Sequence, residues 1–231
     1  MKLYGAVLAA LALLGGCGGN NAPTPDPTSG APIDAVIPDV PVMGREIAML
    51  AIGDSLFTGY GLPEGDSYPA KLEAALRARG INARIANAGV SGDTTADGAQ
   101  RLAFALDAQA AKPEVVLISL GGNDMLRGLP PTETRKNLDA MLAELKKRNI
   151  RVVLLGMLAA PNLGKDYAAA FNAIYPALAK QYGATLVPFF LQPLVEKPEL
   201  VQADRVHPTQ DGVAALVGAT VETVATELPP P

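Results

Sequence analysis

A parallel sheet covered by helices on both faces, the three-layer α/β arrangement, is the fold class this chain predicts, and three observations predict it. Short apolar runs, each long enough for one strand, recur five times between Ile47 and Pro188. Segments with apolar residues at helical spacing separate them, the alternation that parallel βαβ units require. The chain has 231 residues, 49% hydrophobic and 18% charged, which suffices for one sizeable core, and it carries neither an internal repeat nor signs of a second domain.

Residues 1–17 are expected to stand outside that fold. Lys2 supplies a positive start, Leu3 to Leu14 an apolar stretch, and Gly15, Gly16 and Cys17 follow. The run is shorter than the roughly 20 apolar residues of a membrane span, and it reads as an export signal with small residues before the cut. Residues 18–44 hold prolines at 23, 25, 27, 32, 38 and 41 among Gly, Asn, Thr, Ser and Asp. Such a segment has little to bury and reads as a disordered tether. The globular domain is expected over 45–228, with 229–231 a short tail.

Within the domain, Ile47, Met49, Leu50 and Ile52 mark an opening strand that stops at Gly53. A helix is expected over 68–79, with Leu72, Ala75 and Leu76 on one face and Gly80 as its C-cap. A second strand over 83–88, a helix over 94–106 and a β-branched, apolar strand over 115–120, interrupted only by Ser119, come next. The helix expected over 131–148 puts Leu138, Met141, Leu142 and Leu145 inward and Lys146, Lys147 and Arg148 in its last turn. A fourth strand over 151–155 precedes a helix over 166–182 that Pro176 must kink or interrupt. A short strand over 184–188 and a helix over 210–226, with Val213, Leu216, Val217 and Val224 inward, complete the domain.

Composition narrows the function. The formal net charge is -4 with no basic block, so nucleic acid is not an expected partner. Cys17 is the only cysteine, which excludes an intramolecular disulfide and a cysteine-based metal cluster. His207 is the only histidine, so chemistry that needs an imidazole base has one candidate. Asp204 lies three residues ahead of it, placed to fix the ring's tautomer, while Pro208 keeps a helix from running through the pair.

Irregular patches follow the strand ends. They are Gly53-Asp54-Ser55 after the first strand, Asn87 to Thr94 after the second and Gly121-Gly122-Asn123-Asp124 after the third. Parallel strands share one carboxyl edge, where open α/β sheets bind ligands, so these patches must cluster. Ser55 is the obvious nucleophile for a histidine base, although Asp54 and Ser55 also suit a helix N-cap. Ser91 is its rival: Gly89-Val-Ser-Gly92 resembles a nucleophile elbow but has Asp93 where the final glycine should stand. The amides of Ser55 and Gly92 and the side chain of Asn123 are candidate oxyanion donors, while Asn123-Asp124 also fits a turn and helix cap. The loop 156–165, carrying Met157, Leu158 and Leu163 without a period, reads either as a lid over an acyl chain, with Leu158 and Leu163 touching substrate, or as a plain connection.

Two resemblances sharpen this reading. Leu14-Gly15-Gly16-Cys17 resembles the lipobox of bacterial lipoproteins. That resemblance implies a lipid on Cys17, an exported chain and, with Gly18 in place of a retaining Asp, the periplasmic face of the outer membrane or the cell surface. Gly53-Asp54-Ser55-Leu56, Asn87 to Thr94, Gly121 to Asp124 and Asp204-x-x-His207 resemble, in order, the blocks of the SGNH/GDSL hydrolases. The match is nearest to that family's thioesterase I, arylesterase and lysophospholipase L1 group and spans about 46–228. It implies a flavodoxin-like fold with five parallel strands, a Ser55-His207-Asp204 triad, and an oxyanion hole of Ser55, Gly92 and Asn123. It implies ester or thioester hydrolysis with no metal or organic cofactor.

Phe57 departs from the family pattern, which has a small residue there, and is expected to narrow the entrance or touch the acyl chain. Two other readings stand beside the esterase: an O-acetylesterase of cell-envelope polysaccharide and a non-catalytic ligand-binding lipoprotein. A dinucleotide site is disfavoured, since Gly53, Gly59 and Gly61 do not form G-x-G-x-x-G.

Overall fold

The computed structural model describes residues 42–63 and 65–229. The expected signal, most of the tether and Cys17 lie outside the described residues. Five strands, β1 (Ile47–Gly53), β2 (Ala83–Gly89), β3 (Val115–Ser119), β4 (Arg151–Leu155) and β5 (Thr185–Val187), form one sheet in the order β2-β1-β3-β4-β5. Every pairing is parallel. Among the described residues, eight α-helices connect and cover them: α1 (Ser55–Thr58), α2 (Tyr68–Arg77), α3 (Thr95–Asp107), α4 (Gly122–Leu126), α5 (Pro131–Lys147), α6 (Lys165–Asn172), α7 (Ile174–Tyr182) and α8 (Gln210–Ala225). Helix α2 packs on α8, and α5 packs between α3 and α7, so the sheet is the middle of three layers.

The central strands are apolar because they are covered twice. β3 is buried at all five positions, and Leu50, Ala51 and Ile52 of β1 are fully buried. The helices begin where the sequence offers caps. The Ser67 side chain accepts from the Ala70 N–H at the head of α2, Thr94 and Asp97 form a reciprocal capping box at α3, and Thr209 accepts from Gly212 at α8. Gly80 ends the second helix as expected, but one turn later than the regular hydrogen bonding. With φ +79 it lets the Ile81 N–H reach Leu76 C=O and its own N–H reach Arg77 C=O, a Schellman closure.

Pro176 breaks the expected 166–182 helix in two. Its nitrogen has no hydrogen for the Asn172 carbonyl and its ring crowds that turn, so α6 stops at Asn172 and α7 starts at Ile174. The one-turn helices α1 and α4 were not expected from periodicity; each is too short to show one.

The sheet reverses its winding at β1, which pairs with β2 on one side and β3 on the other. Gly53 at its carboxyl end is level with Gly89 and Ser119. The three irregular patches therefore meet at one crevice, as the shared strand edge demands.

Candidate active site

Ser55 is presented by a single helical turn. Asp54 caps it, its Oδ1 accepting from the Leu56 N–H at 3.0 Å, so the N-cap falls on Asp54 and leaves the adjacent Ser55, the candidate nucleophile, outside that role. Asn87 fastens the turn to the sheet, donating from Nδ2 to the Phe57 carbonyl at 2.6 Å while its Oδ1 accepts from Gly89 N–H at 2.9 Å. A Cβ on Gly89 would stand 2.9 Å from both the Phe57 Cβ and the Thr58 nitrogen, so only glycine lets β2 and the turn approach this closely.

Phe57 lies on the inward side of that turn. It is fully buried, stacked on Tyr68 at 5.5 Å and edge-on to Phe190. The expectation that it narrows the entrance is thus overturned: a helical turn points residue 57 away from the face that carries Ser55, and Phe57 is a core residue beneath the site.

His207 arrives on a loop tied shut by its own backbone. Val201 bridges Pro208, the Gln202 N–H donates to His207 C=O at 2.7 Å, and the Gln202 side chain donates to Tyr60 C=O at 2.8 Å. Inside the loop, Asp204 Oδ1 accepts from the Val206 and His207 N–H groups at 2.9 and 3.0 Å, with Arg205 held at φ +59 between them. The other oxygen, Oδ2, stands 2.6 Å from His207 Nδ1, and His207 Nε2 stands 2.8 Å from Ser55 Oγ. Hydrogen bonds from the imidazole and from the two backbone N–H groups hold the Asp204 carboxyl down at about 2. An ionised carboxylate at Nδ1 keeps the proton there and leaves Nε2 to accept from the serine hydroxyl. The Tyr60 ring packs over the imidazole, centroids 4.4 Å apart.

Ser91, the rival, faces the same cleft but its Oγ sits 2.9 Å from Thr58 Oγ1. Thr58 spends its hydroxyl proton on the Ser55 carbonyl, so Ser91 is the donor of that pair and is not bonded to the imidazole. Ser55, Gly92 and Asn123 line one cleft. Neither the Ser55 nor the Gly92 N–H meets a backbone acceptor among the described residues. Asn123 Nδ2 is steadied by the Asp93 carbonyl at 3.0 Å and by Asp54 Oδ2 at 3.4 Å. Burial raises the Asp54 carboxyl to about 6, against the pull of the Leu56 N–H and of His207. Asp124 fits neither an open turn nor a surface cap. It is buried and accepts from Thr95 N–H, Thr95 Oγ1 and Thr134 Oγ1, binding α3, α4 and α5 together under Asn123.

Arg101 escaped the sequence reading. Its guanidinium donates to the carbonyls of Gly53 and Ala88 and to Asp93 Oδ2, bracing the ends of β1 and β2 beneath the crevice. The available signal was a charge at 101 on the face that Gly98, Leu102 and Ala105 bury.

Above these groups lies a cleft of about 760 Å³, walled by Leu56, Met125, Leu126, Met157, Leu158 and Leu191, within the usual range for a small-molecule site. Leu158 is in its wall, on a loop held by Ala159 N–H to Asn172 Oδ1 at 2.7 Å and by Ala160 N–H to Met125 Sδ. Leu163 is not. The chain turns into a short 3-10 helix over Pro161–Leu163, closed by Leu163 N–H to Ala160 C=O, and has left the cleft by then.

Comparison with known proteins gives one consistent answer. The profile of the GDSL-like lipase/acylhydrolase family matches residues 51–215. An arylesterase of Vibrio mimicus is 41% identical over 160 residues, 69% of this chain and 79% of the relative. The thioesterase 1/protease 1/lysophospholipase L1 of Escherichia coli K12 is 37% identical over 163 residues, 71% of this chain and 76% of the relative. Among solved structures, AlinE4, described as an SGNH-hydrolase family esterase, superposes with a TM-score of 0.69 at 58% identity, covering 81% of this chain and all of that one.

Proposed function

This chain belongs to the GDSL-like lipase/acylhydrolase family, and within it we propose a serine esterase that cleaves carboxylic ester and thioester bonds of acyl substrates. The observation that carries the reading is the single imidazole of His207, in hydrogen-bond reach of Ser55 Oγ and of Asp204 at the floor of an apolar cleft. Ser55 Oγ attacks the acyl carbonyl carbon while Nε2 takes its proton, and the Asp204 carboxylate supports the imidazolium that forms. The amides of Ser55 and Gly92 and the Asn123 side chain receive the charge that develops on the carbonyl oxygen. The imidazolium returns the proton to the leaving alcohol or thiol, and water releases the acid from the acyl-enzyme by the same relay. No metal or organic cofactor takes part in this scheme.

Leu158, with Met157 and Leu191, is assigned to hold the acyl chain. The same proposal extends to the N-terminus: residues 1–17 as an export signal, Cys17 as a lipidated residue, and 18–44 as the tether by which a periplasmic or cell-surface domain stands off its membrane. A rate series from p-nitrophenyl acetate to p-nitrophenyl octanoate tests the substrate class. The apolar walls predict the highest kcat/KM beyond acetate. A sharp maximum at acetate, with negligible turnover beyond butyrate, favours the O-acetylesterase reading instead.

A further inference from the structure

Large apolar side chains left singly on a surface are ordinary. Here they converge. Eight are exposed among the described residues, and five of them, Tyr60, Leu126, Leu158, Val195 and Val206, line the cleft that holds Ser55 and His207. They come from five separate stretches of chain, so no one element's periodicity accounts for their meeting. Leu126 is 62% exposed, and the most covered of the five, Leu158, is still 40% exposed. Met43 and Phe104, near the opposite edge of the sheet, and Val90 are the others. Arg127 and Arg205 are exposed beside this rim, and neither is in an ion pair among the described residues; Glu196 flanks Val195.

We propose that this rim seats on the surface of a phospholipid bilayer, so that acyl chains enter the cleft from the membrane. Three features select that occupant. The rim is continuous with the apolar walls of the cleft, so a chain leaving the bilayer stays in apolar surroundings until its carbonyl reaches Ser55. Apolar tips interspersed with arginines match the boundary between acyl chains and phosphate headgroups. The chain outside the structure is also long enough. Residues 18–41 separate Cys17 from Val42, and 24 residues span at most about 80 Å. The strand from Ile47 to Gly53 covers only about 23 Å, so a Cys17 anchor leaves the cleft free to turn toward the membrane. The inference rests on the acyl-ester reading for its purpose, while its test needs no turnover.

Cys17 is the only cysteine, so the full chain carrying Cys17→Ser and Ser55→Ala accepts one engineered label. An environment-sensitive dye is placed at Val206→Cys, at Leu126→Cys, or at the distant Phe104→Cys. Phosphatidylcholine vesicles containing a nitroxide lipid are then added. The expected result is quenching at 206 and 126 several-fold greater than at 104. The pair Leu158→Gln and Val195→Gln should weaken vesicle partition about tenfold, the loss expected for about two half-exposed aliphatic groups. Equal quenching at all three positions, or none at 206 and 126, overturns the proposal. So does emission at 206 that changes with protein concentration in the absence of vesicles, because a second copy of the chain then covers the rim. Turnover of p-nitrophenyl butyrate in water, measured on the chain with Ser55 intact, reports on the esterase reading separately.

Discussion

Replacing Asp54 by Asn should stabilise the protein progressively as pH rises from 4.5 to 7.5, and the size of that gain is set by burial. The folded chain holds the Asp54 proton to about 6, against an ordinary 3.8, because the carboxyl is 2% exposed. The unfolded chain therefore ionises first as pH rises, and the folded state is penalised through the window between 3.8 and about 6. The span from 3.8 to about 6, at about 1.36 kcal/mol per pH unit, gives a penalty of about 3 kcal/mol above that window and none well below 3.8. The same linkage gives about 1 kcal/mol at pH 4.5 and about 3 at pH 7.5, so the variant's advantage should grow by about 2 kcal/mol between them.

Asparagine keeps the oxygen that caps α1 and is an equally good N-cap. It puts an NH2 or an oxygen opposite Asn123 Nδ2, which shifts the baseline by the same amount at every pH. The readout is therefore the difference of differences: urea unfolding of both proteins at pH 4.5 and 7.5. A stability difference that stays flat across that range refutes the argument, as does one that moves the other way.

Two more substitutions separate chemistry from packing. Asn123→Ala should lower kcat on p-nitrophenyl butyrate by a factor on the order of 10² to 10³ with little change in KM, since an oxyanion donor acts in the transition state; a loss below about fivefold removes Asn123 from that role. Phe57→Ala should cost about 3–5 kcal/mol in urea unfolding, while the milder Phe57→Leu keeps the order of preference among acyl lengths. Unchanged stability with an altered preference would return Phe57 to the entrance.

Those predictions follow the line between what was legible in the chain and what was not. Strands β1 and β3 announce themselves because double coverage leaves them apolar at every position but Ser119, and Pro176 announces a break because its ring fits only the first turn of a helix. The Ser55, Asp204 and His207 grouping was legible for a different reason: with one histidine in the chain, its partners have to come to it. Phe57 was misplaced because its direction is set by a turn of four residues, too short to have a period. Leu163 was misplaced likewise, by a 3-10 turn that carries it out of the cleft. Arg101 was missed because two of its three partners are main-chain carbonyls, those of Gly53 and Ala88, which any sequence supplies. The apolar rim draws on five distant stretches and exists only once they are folded together.

The most direct test is the rate at which a fluorophosphonate reacts with the chain, read by mass on the modified residue. An imidazole 2.8 Å from Ser55 Oγ predicts a single adduct on Ser55, formed more slowly in His207→Ala by a factor on the order of 10² to 10⁴. An adduct on Ser91, or an undiminished rate without the imidazole, contradicts the account.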